Sequence, residues 1–248
     1  MTFKDHFSTQ ACQYTRFRPR YPRELFVFLA GLTPTHYRAW DCGTGNGQAA
    51  IALAEFFDQV VATDPSAQQI AHAAPHPKVA YLVSAAEHSP LGDGTVELVC
   101  VAQALHWFNL ERFYAEVRRV GRAGSVLAAW SYGLATITPE VDAVVAYLYE
   151  DVLGRYWPPE RKVVEQGYAT VAFPFEELAV PKLTMAARWS LADLVGYLGT
   201  WSSTQRFIAE NGRSPLDDLL GELKSAWGAD QQLREVRWPL YARVGRIG

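Results

Sequence analysis

Arg38-Ala39-Trp40-Asp41-Cys42-Gly43-Thr44-Gly45-Asn46-Gly47-Gln48 leads into a largely apolar run from Ala49 to Phe57. The stretch predicts a short strand, a glycine-rich turn and a helix that opens directly after the turn. Glycines at this spacing let the backbone pass through torsions that a side chain blocks, and let a ligand approach the main chain. A helix starting there aims unpaired N–H groups and the positive end of its dipole at whatever rests on the turn. A strand before and a helix after make this a site for a nucleotide-sized anion or zwitterion; without a ligand it is an ordinary tight strand–helix turn.

Spacing separates two kinds of glycine turn. A dinucleotide fingerprint reads G-x-G-x-x-G, the third small residue allowing close helix packing. Here Gln48 occupies that third position and the pattern is instead D-x-G-x-G-x-G from Asp41 to Gly47. This pattern resembles the first motif of the class I S-adenosylmethionine-dependent methyltransferases. The resemblance implies a Rossmann-like fold with a seven-stranded sheet. It also implies S-adenosyl-L-methionine held by Asp41, Gly43, Thr44, Gly45 and Gly47. An NAD-dependent oxidoreductase of related topology is the rival reading, disfavoured by Gln48 and Asp41. A non-catalytic S-adenosylmethionine-binding protein is a third.

The rest of the first half supplies further strand ends. Gln59 to Asp64 is a β-branched run closed by Pro65 and reads as a buried parallel strand. Asp64 lies about 20 residues after the first glycine, where an acid accepts hydrogen bonds from both ribose hydroxyls. The alternative is a helix N-cap, since Pro65 follows and Ser66 to Ala74 reads as helix. Gln69, on that helix, would face the adenine. Val79 to Ser84 is a third strand; in the resembled family its tip, Ala86 and Glu87, holds the adenine edge, although Glu87 could equally cap a helix. Val96 to Val101 is a fourth strand leaving through Ala102 and Gln103. Leu110 to Arg119 reads as a helix with Phe113 and Val117 inward and Glu111, Glu116 and Arg118 outward. Gly121 to Gly124 ends it, and Ser125 to Trp130 is a fifth strand. Strands alternating with helices predict an α/β, doubly wound, mostly parallel sheet whose ligand sits outside the strand carboxyl ends.

Upstream, Tyr14, Arg16, Arg18 and Arg20 place an aromatic and three guanidinium groups in an arm that breaks near Arg18-Pro19. They form either a solvated basic face or a closure over the cofactor in which an Arg fork clamps a carboxylate. Downstream of Tyr132, helices are expected over Pro139 to Leu153, Leu191 to Leu198 and Leu216 to Trp227. Lys182 to Trp189 and Glu235 to Ile247 read as strands, and Pro239 demotes the last to an edge or bulge. The helices form a lid inserted around the last strands. One domain over residues 1–248 is expected: an arm over 1–22, a cofactor-binding half over 23–132, and lid helices with closing strands over 133–248.

Composition excludes several classes. A formal charge of −3 gives no basic surface for nucleic acid or an anionic membrane. No apolar run approaches the roughly 20 residues of a spanning helix, and the first residues lack a signal peptide's apolar centre. Cys12, Cys42 and Cys100 have no metal-ligand spacing and suit a reducing cytoplasm. The partner is therefore expected to be a small molecule and the location cytoplasmic, with no metal. Methyltransferases acting on nucleobase amines resemble one another in an Asn/Asp-Pro-Pro-Tyr/Phe loop after the fourth strand; Gln103-Ala104-Leu105-His106 is not that loop.

Four stretches are similar to the trans-aconitate methyltransferase-like group. They are Tyr14-x-x-x-Arg18-Pro19-x-Tyr21-Pro22, Ala104 to Phe108, Leu198 to Ser203 and Trp238-Pro239-Leu240. The group implies an acceptor such as a carboxylate or hydroxyl without naming it. A carboxylate needs no base; a hydroxyl does, and His106 is the candidate base or orienter, its ordinary pKa lying near neutrality. The bland alternative is a structural His beside Trp107. Tyr14, Arg16, Arg20, Trp107, Trp130, Tyr132 and Trp201 are the candidate acceptor contacts.

Overall fold

The computed structural model describes residues 17–229 and 231–248. In chain order the elements are α1 (Arg23–Gly31), β1 (Arg38–Cys42), α2 (Gln48–Leu53), β2 (Gln59–Asp64), α3 (Ala67–Ala71), β3 (Val79–Val83), β4 (Val96–Ala102), α4 (Leu110–Val120) and β5 (Gly121–Tyr132). There follow α5 (Pro139–Tyr147), α6 (Arg161–Glu165), β6 (Glu176–Glu177), β7 (Leu183–Trp189), α7 (Leu191–Gly199), α8 (Ser202–Asn211), α9 (Pro215–Trp227) and β8 (Arg234–Arg246).

The sheet order is β3-β2-β1-β4-β5-β8-β6, with β7 also on β8. Strands β1 to β5 pair in parallel and β8 runs antiparallel to β5. Winding reverses direction between β1 and β4, so their carboxyl ends open the crevice where ligands of such sheets sit. Among the described residues eight strands are present where seven are expected, because one position is filled twice. β6 and β7 both pair with the same strand, β8, on either side of the Leu178–Lys182 segment that carries Pro181.

Alternation along the strands explains the two-sided core. Leu98, Cys100, Val126, Ala128 and Trp130 face one apolar layer with α1, α2 and the C-terminal helices. Trp40, Cys42, Val99, Val101, Leu127 and Ala129 face the other, with Phe113 and Val117 of α4. Helix α4 starts at Asn109, whose side chain accepts from the Arg112 N–H. Its Glu116 points inward, contrary to the outward reading: the carboxylate is buried and accepts from both N–H and Oγ of Ser89 and from Arg119. Those charge-assisted bonds hold it down at about 2 even though burial alone would raise it.

Two other expectations change. Gly121 to Gly124 belong to β5 and not to a turn, with a shift of register between Val96 and Leu98 absorbing the irregularity. Pro239 lies in an internal strand. β8 pairs β7 from Arg234 to Leu240 and β5 from Leu240 to Arg246, so Pro239 sits where the pairing is handed over. The Arg237 N–H faces Thr136, hence the missing donor at Pro239 faces the same loop and costs β7 nothing.

Candidate active site

The carboxyl ends of β1, β2, β4 and β5 surround a cavity of about 1200 Å³. Its floor is the glycine turn. Gly43 (φ +70°) follows β1 so closely that a Cβ there would lie 2.6 Å from the Ala104 Cβ and 3.1 Å from Phe108. Gly47 (φ +89°) is the N-cap of α2, and a Cβ there would overlap the Tyr81 hydroxyl. Both positions thus require glycine on two grounds, torsion and space. Helix α2 has six residues, fewer than the run to Phe57 suggested, so the turn's own N–H groups matter more than the helix dipole.

Asp64 joins the turn to the second strand. One carboxylate oxygen accepts from the Gly45 N–H at 2.9 Å and the other from the Ser66 N–H at 2.9 Å. The cap of α3 is Ser66, whose hydroxyl accepts from the Gln69 N–H. Asp64 lines the cavity, and a carboxylate has about four lone-pair sites with which to accept hydrogen bonds. Pro65, Gln69, Ala86, Glu87, Ala102 and Gln103 share that wall with Gly43, Thr44, Gly45 and Gly47. Glu87 also accepts from the Asn109 N–H at 2.7 Å, bracing the start of α4. Gln103 has φ +57°, unusual for a residue with a side chain, and its N–H is tied to the Trp130 carbonyl.

Asp41 does not reach the wall. Strand alternation turns it beneath the turn, fully buried, where it accepts from the Thr44 hydroxyl at 2.6 Å. Burial pushes its carboxyl up to about 7, against the pull of that hydroxyl.

Residues 18–21, the described end of the arm, line the cavity too. Gln48, the residue that departs from the dinucleotide pattern, donates to the Pro19 carbonyl at 3.0 Å and pins the arm over the turn. Arg18 donates to the Tyr132 hydroxyl at 2.8 Å and to the Thr200 carbonyl, and lies over the Tyr197 ring. Arg18, Arg20, Tyr132, His106 and Trp107 all line the cavity. Trp130 and Trp201 do not. Trp130 faces the α1 layer, edge-on to Tyr21 and Phe26, and Trp201 packs among Tyr149, Trp157 and Tyr197. Tyr14 and Arg16 lie outside the described residues. Sequence reading passed over three contributors: Glu160 and Tyr21 on the wall, and Tyr168 behind His106. Tyr168 is 62 residues from His106 and no local pattern points to it.

His106 sits on a one-turn 3-10 helix, Leu105–Trp107, after β4. Burial, aided by the Arg161 guanidinium, lowers its pKa to about 3, so the ring is neutral at physiological pH. Among the described residues there is no group of three or more potential metal ligands.

A doubly wound sheet with a glycine floor, an acid at the second strand and an arginine lid defines a nucleoside-cofactor enzyme of the Rossmann-like class. Comparison with known proteins fixes the chemistry. The profile of a methyltransferase domain matches residues 40–129. The chain is 36% identical over 246 residues to a putative methyltransferase of Dictyostelium discoideum, covering 96% of this chain and 94% of that one. A crystal structure of a putative type II methyltransferase from Anaeromyxobacter dehalogenans is 49% identical, with a TM-score of 0.88, covering 93% of this chain and 98% of the other. A probable S-adenosylmethionine-dependent methyltransferase of Saccharomyces cerevisiae is 26% identical over 175 residues, 64% of this chain and 59% of that one. The chain belongs to the class I S-adenosylmethionine-dependent methyltransferases, and S-adenosylmethionine is its cofactor. The glycine floor, with no side chain rising from it at Gly43, Gly45 or Gly47, and the carboxylate of Asp64 beside it suit an adenosyl group laid across the turn.

Proposed function

We propose that the chain methylates a carboxylate of a small molecule, as a single cytoplasmic domain. Asp64 takes the ribose hydroxyls, Gln69, Ala86 and Glu87 border the adenine, and Arg18 clamps the methionyl carboxylate. S-adenosylmethionine, when bound, supplies a methyl group already activated on a sulfonium. The residues of this chain bind it, exclude water and align the acceptor; effective molarities of about 10⁵ M or more are available from alignment alone. Beyond the cofactor the same cavity offers His106, Trp107, Tyr132 and Arg20 to the acceptor.

The observation that carries this reading is that a neutral His106, its pKa lowered to about 3, lines the same cavity as Arg20. A carboxylate arrives with a lone pair and has no proton to lose, so it does not need the base that His106, with so low a pKa, supplies poorly. Likeness to the trans-aconitate methyltransferase-like group supports the same acceptor class. The test is incubation with methyl-labelled cofactor and a fractionated metabolite extract. Label that alkali releases as methanol identifies an ester and supports the reading; alkali-stable label on oxygen, nitrogen or carbon overturns it.

A further inference from the structure

Resting on the cofactor and acceptor assignment above, we infer that Tyr168 is a positioning residue that holds His106 in the Nε2–H tautomer, so that His106 meets the acceptor as a hydrogen-bond donor and not as a base. The hydroxyl of Tyr168 lies 3.1 Å from His106 Nδ1. Tyr168 is fully buried, and a buried phenol keeps its O–H paired. His106 Nδ1 is the one side-chain hydrogen-bond partner of that hydroxyl among the described residues. The phenol proton is therefore left with Nδ1 as its acceptor, and a neutral imidazole with Nδ1 bare carries its proton on Nε2.

The backbone is shaped for this contact. Gly167 (φ +57°) and Tyr168 (φ +63°) are consecutive left-handed residues after α6, a conformation that a large aromatic residue rarely adopts. Tyr168 N–H bonds the Val163 carbonyl, and Arg243 from β8 holds the Tyr168 carbonyl at 3.1 Å. The ring is thereby driven under the 3-10 turn that carries His106. His106 itself lines the cavity, and its Nε2 makes no hydrogen bond to a described residue. Glu160, Arg18, Arg20, Glu87 and Arg112 line the cavity with His106, and the guanidinium of Arg161 on α6 acts on its ring. Burial and Arg161 both disfavour a second proton on the ring.

An Nε2–H presented to the cavity steers an acceptor oxygen through one of its lone pairs, and leaves no ring nitrogen to take a proton from a hydroxyl. The acceptor class that fits is one ionised before it binds, a carboxylate. Tyr168 thus decides specificity without touching the acceptor.

Long-range proton–nitrogen NMR on ¹⁵N-histidine protein, free and saturated with S-adenosylhomocysteine, tests this. His106 is one of six histidines and is assigned by the signal lost in His106→Asn. At pH 7 the expected signature is a bare, pyridine-type Nδ1 and a protonated, pyrrole-type Nε2. In Tyr168→Phe the ring stays and the donor goes, so the signals shift toward a mixture of tautomers. Tyr168 does not itself line the cavity, so S-adenosylhomocysteine affinity stays within about two-fold. A wild-type Nδ1–H or imidazolium, or an unchanged tautomer in Tyr168→Phe, overturns the inference. Should Tyr168→Phe not fold, the wild-type signature still decides. Failure of S-adenosylhomocysteine to bind would strike the assignment of the cavity, while the tautomer remains readable in the free protein.

Discussion

Replacing Asp64 by Asn changes one oxygen into an NH₂ group with almost no change in volume. In the wild type both oxygens accept main-chain N–H bonds, one from Gly45 and one from Ser66, each at 2.9 Å. An amide can keep one of them; the other N–H then faces a donor. The remaining lone pairs, which we assign to the two ribose hydroxyls, fall to those of one neutral oxygen. A hydrogen bond to a charged group is worth roughly 1.5–3 kcal/mol, so losing one weakens cofactor binding by roughly 10- to 150-fold. The unpaired N–H of the free protein costs about 1–3 kcal/mol in addition, because the site is buried. Calorimetric titration with S-adenosylhomocysteine reads the first number and urea unfolding of the free protein the second. An analogue without ribose hydroxyls separates them, since it should bind the two proteins alike. Asp64→Asn protein that binds S-adenosylhomocysteine within about three-fold of wild type would refute the reasoning.

Arg18→Lys loses the planar fork, so S-adenosylmethionine affinity falls about 10-fold while adenosine, which has no carboxylate, binds unchanged; equal losses for both would contradict the clamp. Asp41 and His106 have opposed linkages. The Asp41 carboxyl is raised from 3.8 to about 7, so its contribution is full below 3.8 and is lost as pH rises through 7. The His106 ring is lowered from 6.5 to about 3, so its contribution is full above 6.5 and is lost as pH falls through 3. Between about pH 4 and 6.5 the two slopes, each at most about 1.4 kcal/mol per pH unit, offset one another. Urea midpoints should therefore fall with rising pH in His106→Gln and rise in Asp41→Asn, and parallel profiles in the two variants would contradict the assignment. Gly43→Ala meets Ala104 at 2.6 Å with φ +70°, and should destabilise by roughly 2–4 kcal/mol in thermal unfolding, whereas Gly31→Ala, with nothing within 4 Å of the new carbon, should not destabilise.

The fold was legible because its signals are local. The glycine turn, the β-branched run into Asp64 and the apolar run of β4 each declare their element within a few residues. Asp64 and Gln103 were placed because strand ends in a parallel sheet converge by construction. What escaped depends on facing. Asp41 and Trp130 are at strand ends but alternate toward the α1 side, which no single strand reveals. Glu116 looks like a surface residue of an amphipathic helix until Ser89 and Arg119 meet it. Gln48 was read only as a missing glycine, although its amide fastens the arm. Tyr168 was invisible for a different reason: its contact with His106 depends on two left-handed torsions and a separation of 62 residues.

The central claim is that one adenosyl group lies across the strand ends with its sulfur toward Arg18 and His106. A crystal structure with S-adenosylhomocysteine tests it most directly. The account predicts both ribose hydroxyls within hydrogen-bond distance of the Asp64 carboxylate and the sulfur opening toward His106 Nε2. Ribose hydroxyls bonded elsewhere, or a sulfur turned away from His106, would contradict it.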